Sequence, residues 1–391
     1  MLAPDAGAGR RWLAITDPVF EELLAAAQVG LDARRPREAQ APAQAALAMT
    51  DRGSACVGSQ RMALARAALA VAAVRAQVGD ARGAEELARR AGDVLDEDAD
   101  AQAADGVALR VAALGVVGEA LRAQGRYGEA ELSLQAALTL AESAPNGELL
   151  VSQAANNLAV LYKYTARFDK AEALYRRALE IVVVHRGAEH VDAATLWHNL
   201  GGLEHSRGRP ATAEPAARRA LEIRTAALGP AHPDAAADAA ALGAILDALG
   251  RPDEAEELLR QALETFTALL GPCHYEIAIN ANNLAALQYR RGHIDEADAL
   301  WHQALTIKRQ LLGDTHPELA ATVVNLGVLA AARGQHEQAR VHFRRALELL
   351  GSNITTNHPV HRAATQSLAA LAGPRTAAEE HQPRRRRDAT T

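Results

Sequence analysis

The sequence predicts an all-α protein, a solenoid of eight antiparallel helix pairs. Three observations carry that expectation. Turn-forming residues Ala166, Gly208, Gly250, Gly292 and Gly334 follow one another at intervals of 42, with looser copies centred on Arg34, Gly79 and Gly125. Small residues keep a fixed register to each of them. Finally, 49% of the residues are apolar but only 3% are aromatic, a mix that favours closely approaching helices. A repeat array also explains how 391 residues can fold without one large core, because each unit leans on its neighbours.

The register is legible at three offsets. Five residues after the turn residue stand Ala39, Ala84, Ala130, Ala171, Ala213, Ala255, Ala297 and Ala339. Twelve residues after it stand Ala46, Ala91, Ala137, Ala178, Ala220, Ala262, Ala304 and Ala346. Seven residues before it stand Ala27, Ala72, Gly118, Ala159, Gly201, Gly243, Ala285 and Gly327. A first helix, a tight turn and an antiparallel second helix cross at these positions, where a larger side chain would push the axes apart. Leu158, Leu200, Leu242, Leu284 and Leu326, each one residue before a small first-helix position, bury against the next unit and make the core continuous.

Between pairs, Leu-Gly-Pro-Ala-His-Pro-Asp (228–234) and Leu-Gly-Asp-Thr-His-Pro-Glu (312–318) close one helix and open the next. Gly229 and Gly313 suit a left-handed helix end. Pro233 and Pro317 suit a first helical turn, and Asp234 and Glu318 meet its positive end. The period implies a second helix of about 19 residues, near 28 Å long. His361 to Leu371 reads as a closing amphipathic helix over the last pair. The organisation is therefore a tail (1–17), looser pairs (18–149), regular pairs with a cap (150–372) and a basic tail (373–391).

This frame resembles the tetratricopeptide repeat. The period, the Asn-Asn-Leu-Ala starts at 156 and 282 and the Leu-Gly-x-x-His-Pro-Glu ending look like the repeats of kinesin light chains and of related bacterial and nephrocystin-like proteins. The likeness is close over residues 150–360 and weaker over 18–149. It implies a right-handed superhelix whose first helices line a concave, peptide-binding face. Kinesin light chains carry a heptad coiled coil ahead of their repeats and no such heptads precede these, so a motor-adaptor role is not implied.

The resemblance puts groove positions 13, 10, 9, 6, 3 and 2 residues before each turn residue, a spacing that keeps them on one helix face. The candidates are Asn156, Asn157, Lys163 and Tyr164 in the fourth pair, and His198 and Asn199 in the fifth. Asn282, Asn283, Tyr289 and Arg290 follow in the seventh, and Asn325 in the eighth. Asn157, Asn199, Asn283 and Asn325 hold one equivalent position, with Ala241 the gap. Asparagine is a poor choice inside a helix, but its amide donates to and accepts from a peptide backbone. Each amide has an alternative use, bonding a neighbouring helix. Capture of a partner's terminal carboxylates is disfavoured, because the only lysines are Lys163, Lys170 and Lys308.

Other chemistry finds little support. His190, His232, His274, His316 and His358 recur at the same interval. Equivalent residues of adjacent units lie about 8–10 Å apart, too far to share a zinc ion, so these are read as turn residues bonding backbone. His198 and His205 lie two helical turns apart, about 10 Å, and form no metal pair. The sequence holds no HExxH, GxxxxGK[ST] or GxSxG pattern, and its carboxylate runs, such as 253–257, read as solvated helix starts. A net charge of -6 argues against nucleic acid, and Arg384–Arg387 reads as a solubilising tail. Cys56 and Cys273 read as two free thiols, and no long apolar stretch is present. The expectation is a cytoplasmic, non-enzymatic scaffold without cofactor or membrane contact, binding a protein or peptide. A self-associating solenoid using second-helix surfaces competes with it, as does an enzyme hidden in residues 1–149.

Overall fold

The computed structural model describes residues 18–50, 58–96, 104–351 and 358–372. Among these residues run seventeen α-helices: α1 (Pro18–Asp32), α2 (Pro36–Thr50), α3 (Gly58–Gln77), α4 (Ala81–Asp96), α5 (Ala104–Ala123), α6 (Tyr127–Ser143), α7 (Glu148–Tyr164), α8 (Phe168–Arg186) and α9 (Val191–Ser206). They continue with α10 (Pro210–Leu228), α11 (Pro233–Ala248), α12 (Pro252–Leu270), α13 (Tyr275–Arg290), α14 (Ile294–Leu312), α15 (Ala320–Ala332), α16 (His336–Leu350) and α17 (Pro359–Ala372). A 3₁₀ turn, Pro317–Leu319, opens the eighth pair. The expected eight pairs and closing helix are present, in a right-handed superhelix. The β-branched run at 181–184 lies inside α8. The two tails and Cys56 fall outside the described residues.

All eight turn residues have positive φ, including the non-glycines Arg34 (54°) and Ala166 (58°). Each is followed by an N–H that bonds back to the first helix, as from Arg126 to the Leu121 carbonyl (2.9 Å) and from Arg209 to that of Glu204 (2.9 Å). This 6→1 bond is the Schellman closure, and it requires a left-handed residue where the frame places one. The alanines five and twelve residues further on are at most 1% exposed, so the frame does mark the helix crossings.

The joints differ from the expectation. Gly187, Gly229, Gly271 and Gly313 pair φ of 79–93° with ψ of 157–170°. That is the extended positive-φ region, essentially open to glycine alone, and not the left-handed helical one. Three residues after each such glycine a histidine caps the next helix. His190, His232, His274, His316 and His358 each accept, on Nδ1, the backbone N–H two residues on, at 3.1–3.2 Å. The periodic histidines are therefore helix N-caps.

The aspartates at the second-helix starts are exposed, as expected of a solvated face, and they also meet arginines. Arg207 reaches Asp169 (2.8 Å), Arg291 reaches Asp253 and Glu256 (both 2.7 Å), and Arg333 reaches Asp295 (3.2 Å). In each case an arginine one residue before a turn bridges back to the preceding unit.

Contacts also reach far beyond neighbouring units. Arg34, in the first turn, pairs with Asp234 (2.6 Å) and Glu276 (3.0 Å). The second turn sits on Leu311, where a Cβ on Gly79 would lie 3.5 Å from the leucine side chain. The third sits on Pro317, and beside it Arg122 pairs with Glu318 (3.1 Å). Each of the first three turns thus meets the unit five further on, and a seam closes the superhelical gyre.

Candidate functional site

Successive first helices lie side by side, and the asparagines on their shared face reach one another. Asn199 Nδ2 donates to Asn156 Oδ1 (2.8 Å), and Asn325 Nδ2 donates to Asn282 Oδ1 (3.2 Å). Asn156 in turn donates, at 3.4 Å, to Asn157. Asn157 has room because Gly115 faces it; a Cβ there would stand 3.2 Å from its Nδ2. Asn283 makes no side-chain hydrogen bond among the described residues. The amide row is therefore two clusters, one on α7 and α9 and one on α13 and α15. Between them α11 supplies the half-buried Ala237, Ala241 and Ala244.

The other candidates are more committed. The Arg122 guanidinium stacks 4.5 Å from the Tyr164 ring centre. Lys163 lies over the bare backbone of Gly202, where a Cβ would stand 3.5 Å from Nζ. It has no carboxylate at ion-pair distance among the described residues, and burial, aided by Arg122, pushes its amine down to about 8. His198 Nδ1 lies 2.7 Å from Asp238. Tyr289 tilts against Trp301 (5.7 Å, 47°) and Arg290 is bound to Asp247 (3.2 Å). All candidates are half-buried except Arg290, which is exposed.

Sequence reasoning missed a set of buried polar residues beneath this face. Asp238, 1% exposed, receives Arg224 Nε (2.7 Å) as well as His198. Lys308, 3% exposed, donates to Thr322 Oγ1 and to the Glu318 carbonyl (both 3.3 Å), and Thr322 donates to Asn282 (3.2 Å). A buried amine without a carboxylate partner is costly in its charged form, and burial holds Lys308 down at about 8. The signal was available. Arg224 and Lys308 both stand sixteen residues after a turn residue, where Val182, Phe266 and Leu350 are apolar.

Among the described residues no helix is long and apolar enough to cross a membrane, and no group of three potential metal-binding side chains occurs. Cys273 is a free, exposed thiol.

A family profile described as "Tetratricopeptide repeat" matches residues 109–182, 192–268 and 276–352. No curated protein matches the chain. Among solved structures, BtubC (BKLC) from P. vanneervenii is 26% identical, with 69% of this chain and 97% of that one covered and a TM-score of 0.43. A putative kinesin light chain from Podosopora anserina is 21% identical, covering 51% and 95%, with a TM-score of 0.41. The Rap conjugation gene regulator of plasmid pLS20, in complex with the Phr* peptide, is 14% identical, covering 91% and 96%, with a TM-score of 0.55.

Proposed function

The chain belongs to the tetratricopeptide-repeat family, and from that premise we propose that it is a non-enzymatic scaffold holding an extended peptide or partner helix along its concave face. The observation that carries this reading is the state of the two amide clusters. Asn199 and Asn325 each use one N–H to reach the preceding unit, which fixes their rotamers. Each keeps a second N–H and a carbonyl oxygen, the complement of a peptide backbone. Asn157 and Asn283 are the adaptable members of the row. Lys163 and His198 select side chains beside them, Tyr289 and Arg290 do so at the other cluster, and Tyr164 is a packed wall under Arg122. A regulator with the same fold holds a peptide, which agrees with this use of the face. No cofactor enters the reading, and its site of action is the cytoplasm.

Affinity capture from the native lysate, read by mass spectrometry, tests it. Wild type is compared with an Asn157→Ala/Asn283→Ala double variant, which leaves both unit-to-unit amide bonds in place. Partners lost only from the variant are the expected result and identify the guest. Partners kept by both would move binding to the second-helix surfaces. A mass above the monomer in light scattering, unchanged by the variant, would favour a self-associating solenoid instead.

A further inference from the structure

The seam and the groove are joined by a continuous chain of polar contacts. His198, on the concave face, bonds one oxygen of Asp238 (2.7 Å), and Arg224 Nε bonds the other (2.7 Å). The Arg224 Nη1 lies 3.5 Å from one oxygen of Asp234, and Arg34, in the first turn, binds its other oxygen at 2.6 Å. Arg34 also binds Glu276 at 3.0 Å. Three residues, Asp238, Arg224 and Asp234, therefore link His198 to Arg34 with no break wider than an ion pair. Asp238 and Arg224 are almost fully buried, so water does not screen this stretch.

We propose that the seam is a latch set from the groove: engaging His198 tightens the hold of Asp234 on Arg34. Arg224 and Arg34 share Asp234, while Arg224 and His198 share Asp238. When a guest draws His198 away, the buried Asp238 carboxylate loses a partner it cannot replace with water. Arg224, whose contact to Asp234 is the longest in the chain, moves its charge toward Asp238. Asp234 is then less neutralised and binds Arg34 more strongly. The gyre closes as the groove fills, and by linkage a closed gyre favours the filled groove. The seam's other fastening has a different character. Arg122 pairs with Glu318, which also lies in the field of the groove cation Lys163, and that region is held from the groove through neutral Asn282 and Thr322 to Lys308. Phe266 occupies the corresponding place in the joint between them, so that joint has a buried ring where the fifth-to-sixth joint has a buried cation.

The test needs no guest, so it stands or falls apart from the peptide-binding reading. Spin labels are placed at Arg37→Cys and Ala231→Cys, both exposed positions flanking the seam, with Cys56 and Cys273 changed to Ser. Pulsed electron resonance then follows seam opening as sodium chloride is raised, after circular dichroism confirms equal folding. Arg34→Gln opens at lower salt than wild type. His198→Ala, which mimics withdrawal of the imidazole, opens at about twice the wild-type salt concentration, because the strengthened pair needs more screening. His198→Gln, which still reaches Asp238, tracks wild type, as does Asn283→Ala, which lies outside the chain. A seam indifferent to Arg34→Gln would overturn the latch. His198→Ala opening at or below the wild-type salt, or Asn283→Ala shifting with it, would overturn the relay.

Discussion

A histidine caps a helix only while its Nδ1 keeps a free lone pair, so the buried caps at His316 and His358 tie their joints to pH. Burial holds His316 and His358 down at about 4, against 6.5 for an unfolded imidazole. Between those values the unfolded chain takes up protons that the folded chain refuses. Stability from these caps is complete above pH 6.5, falls as pH drops toward 4, and levels off below it. Thermal melts of wild type and His316→Asn should show this directly. The variant keeps a capping side chain, stays within about 1 kcal/mol of wild type at pH 7.5, and loses stability less steeply between pH 6.5 and 4. At the turns, Ala166 holds a φ of 58°, a conformation that costs an alanine about 1 kcal/mol. Ala166→Gly should therefore raise the unfolding free energy by about that amount in urea, whereas the same change at a helical alanine lowers it.

At the scale of the element, a helix pair is defined by how closely its two axes can approach. Ala213 and Ala171 are fully buried where the second helix crosses the first, and the backbone of Gly201 lies against Ala213 and Ala217 in the same pair. No rotamer of a longer side chain fits there without separating the helices. Ala213→Leu should cost about 1–3 kcal/mol in denaturant unfolding, while the same substitution at exposed Ala211 should be near neutral. The inter-unit arginine bridges act at this scale too, but the Arg333 bridge to Asp295 is open to solvent, and Arg333→Ala should change stability by less than about 1 kcal/mol.

The whole molecule adds the seam, which a chain of identical pairs does not announce. Gly125 and Gly250 hold similar positive φ (73° and 75°), so a Cβ strains both backbones equally. Only Gly125 meets another part of the molecule, with a Cβ 3.0 Å from Pro317, whereas the space beside Gly250 is open. Gly125→Ala should therefore destabilise more than Gly250→Ala. It should also enlarge the radius of gyration measured by small-angle X-ray scattering, which Gly250→Ala leaves unchanged.

The order of amino acids is enough to reveal the repeat: the turn residues, the small residues at the crossings, the length of the second helices and the histidines at the joints. These are local or nearest-neighbour requirements, and each unit restates them at the same interval, so the period makes them legible. It also placed the asparagine row on one face, because helical spacing alone decides which side chains share a face. The partners of those side chains were decided only by the tertiary structure. Asn199 meets Asn156 and Asn325 meets Asn282 because of how far each unit rotates on its neighbour. Small per-unit rotations accumulate over five units before Arg34 meets Asp234 and Arg122 meets Glu318. No pattern within one repeat fixes that sum, so a contact between residues about two hundred positions apart becomes visible only once the chain has wound back on itself.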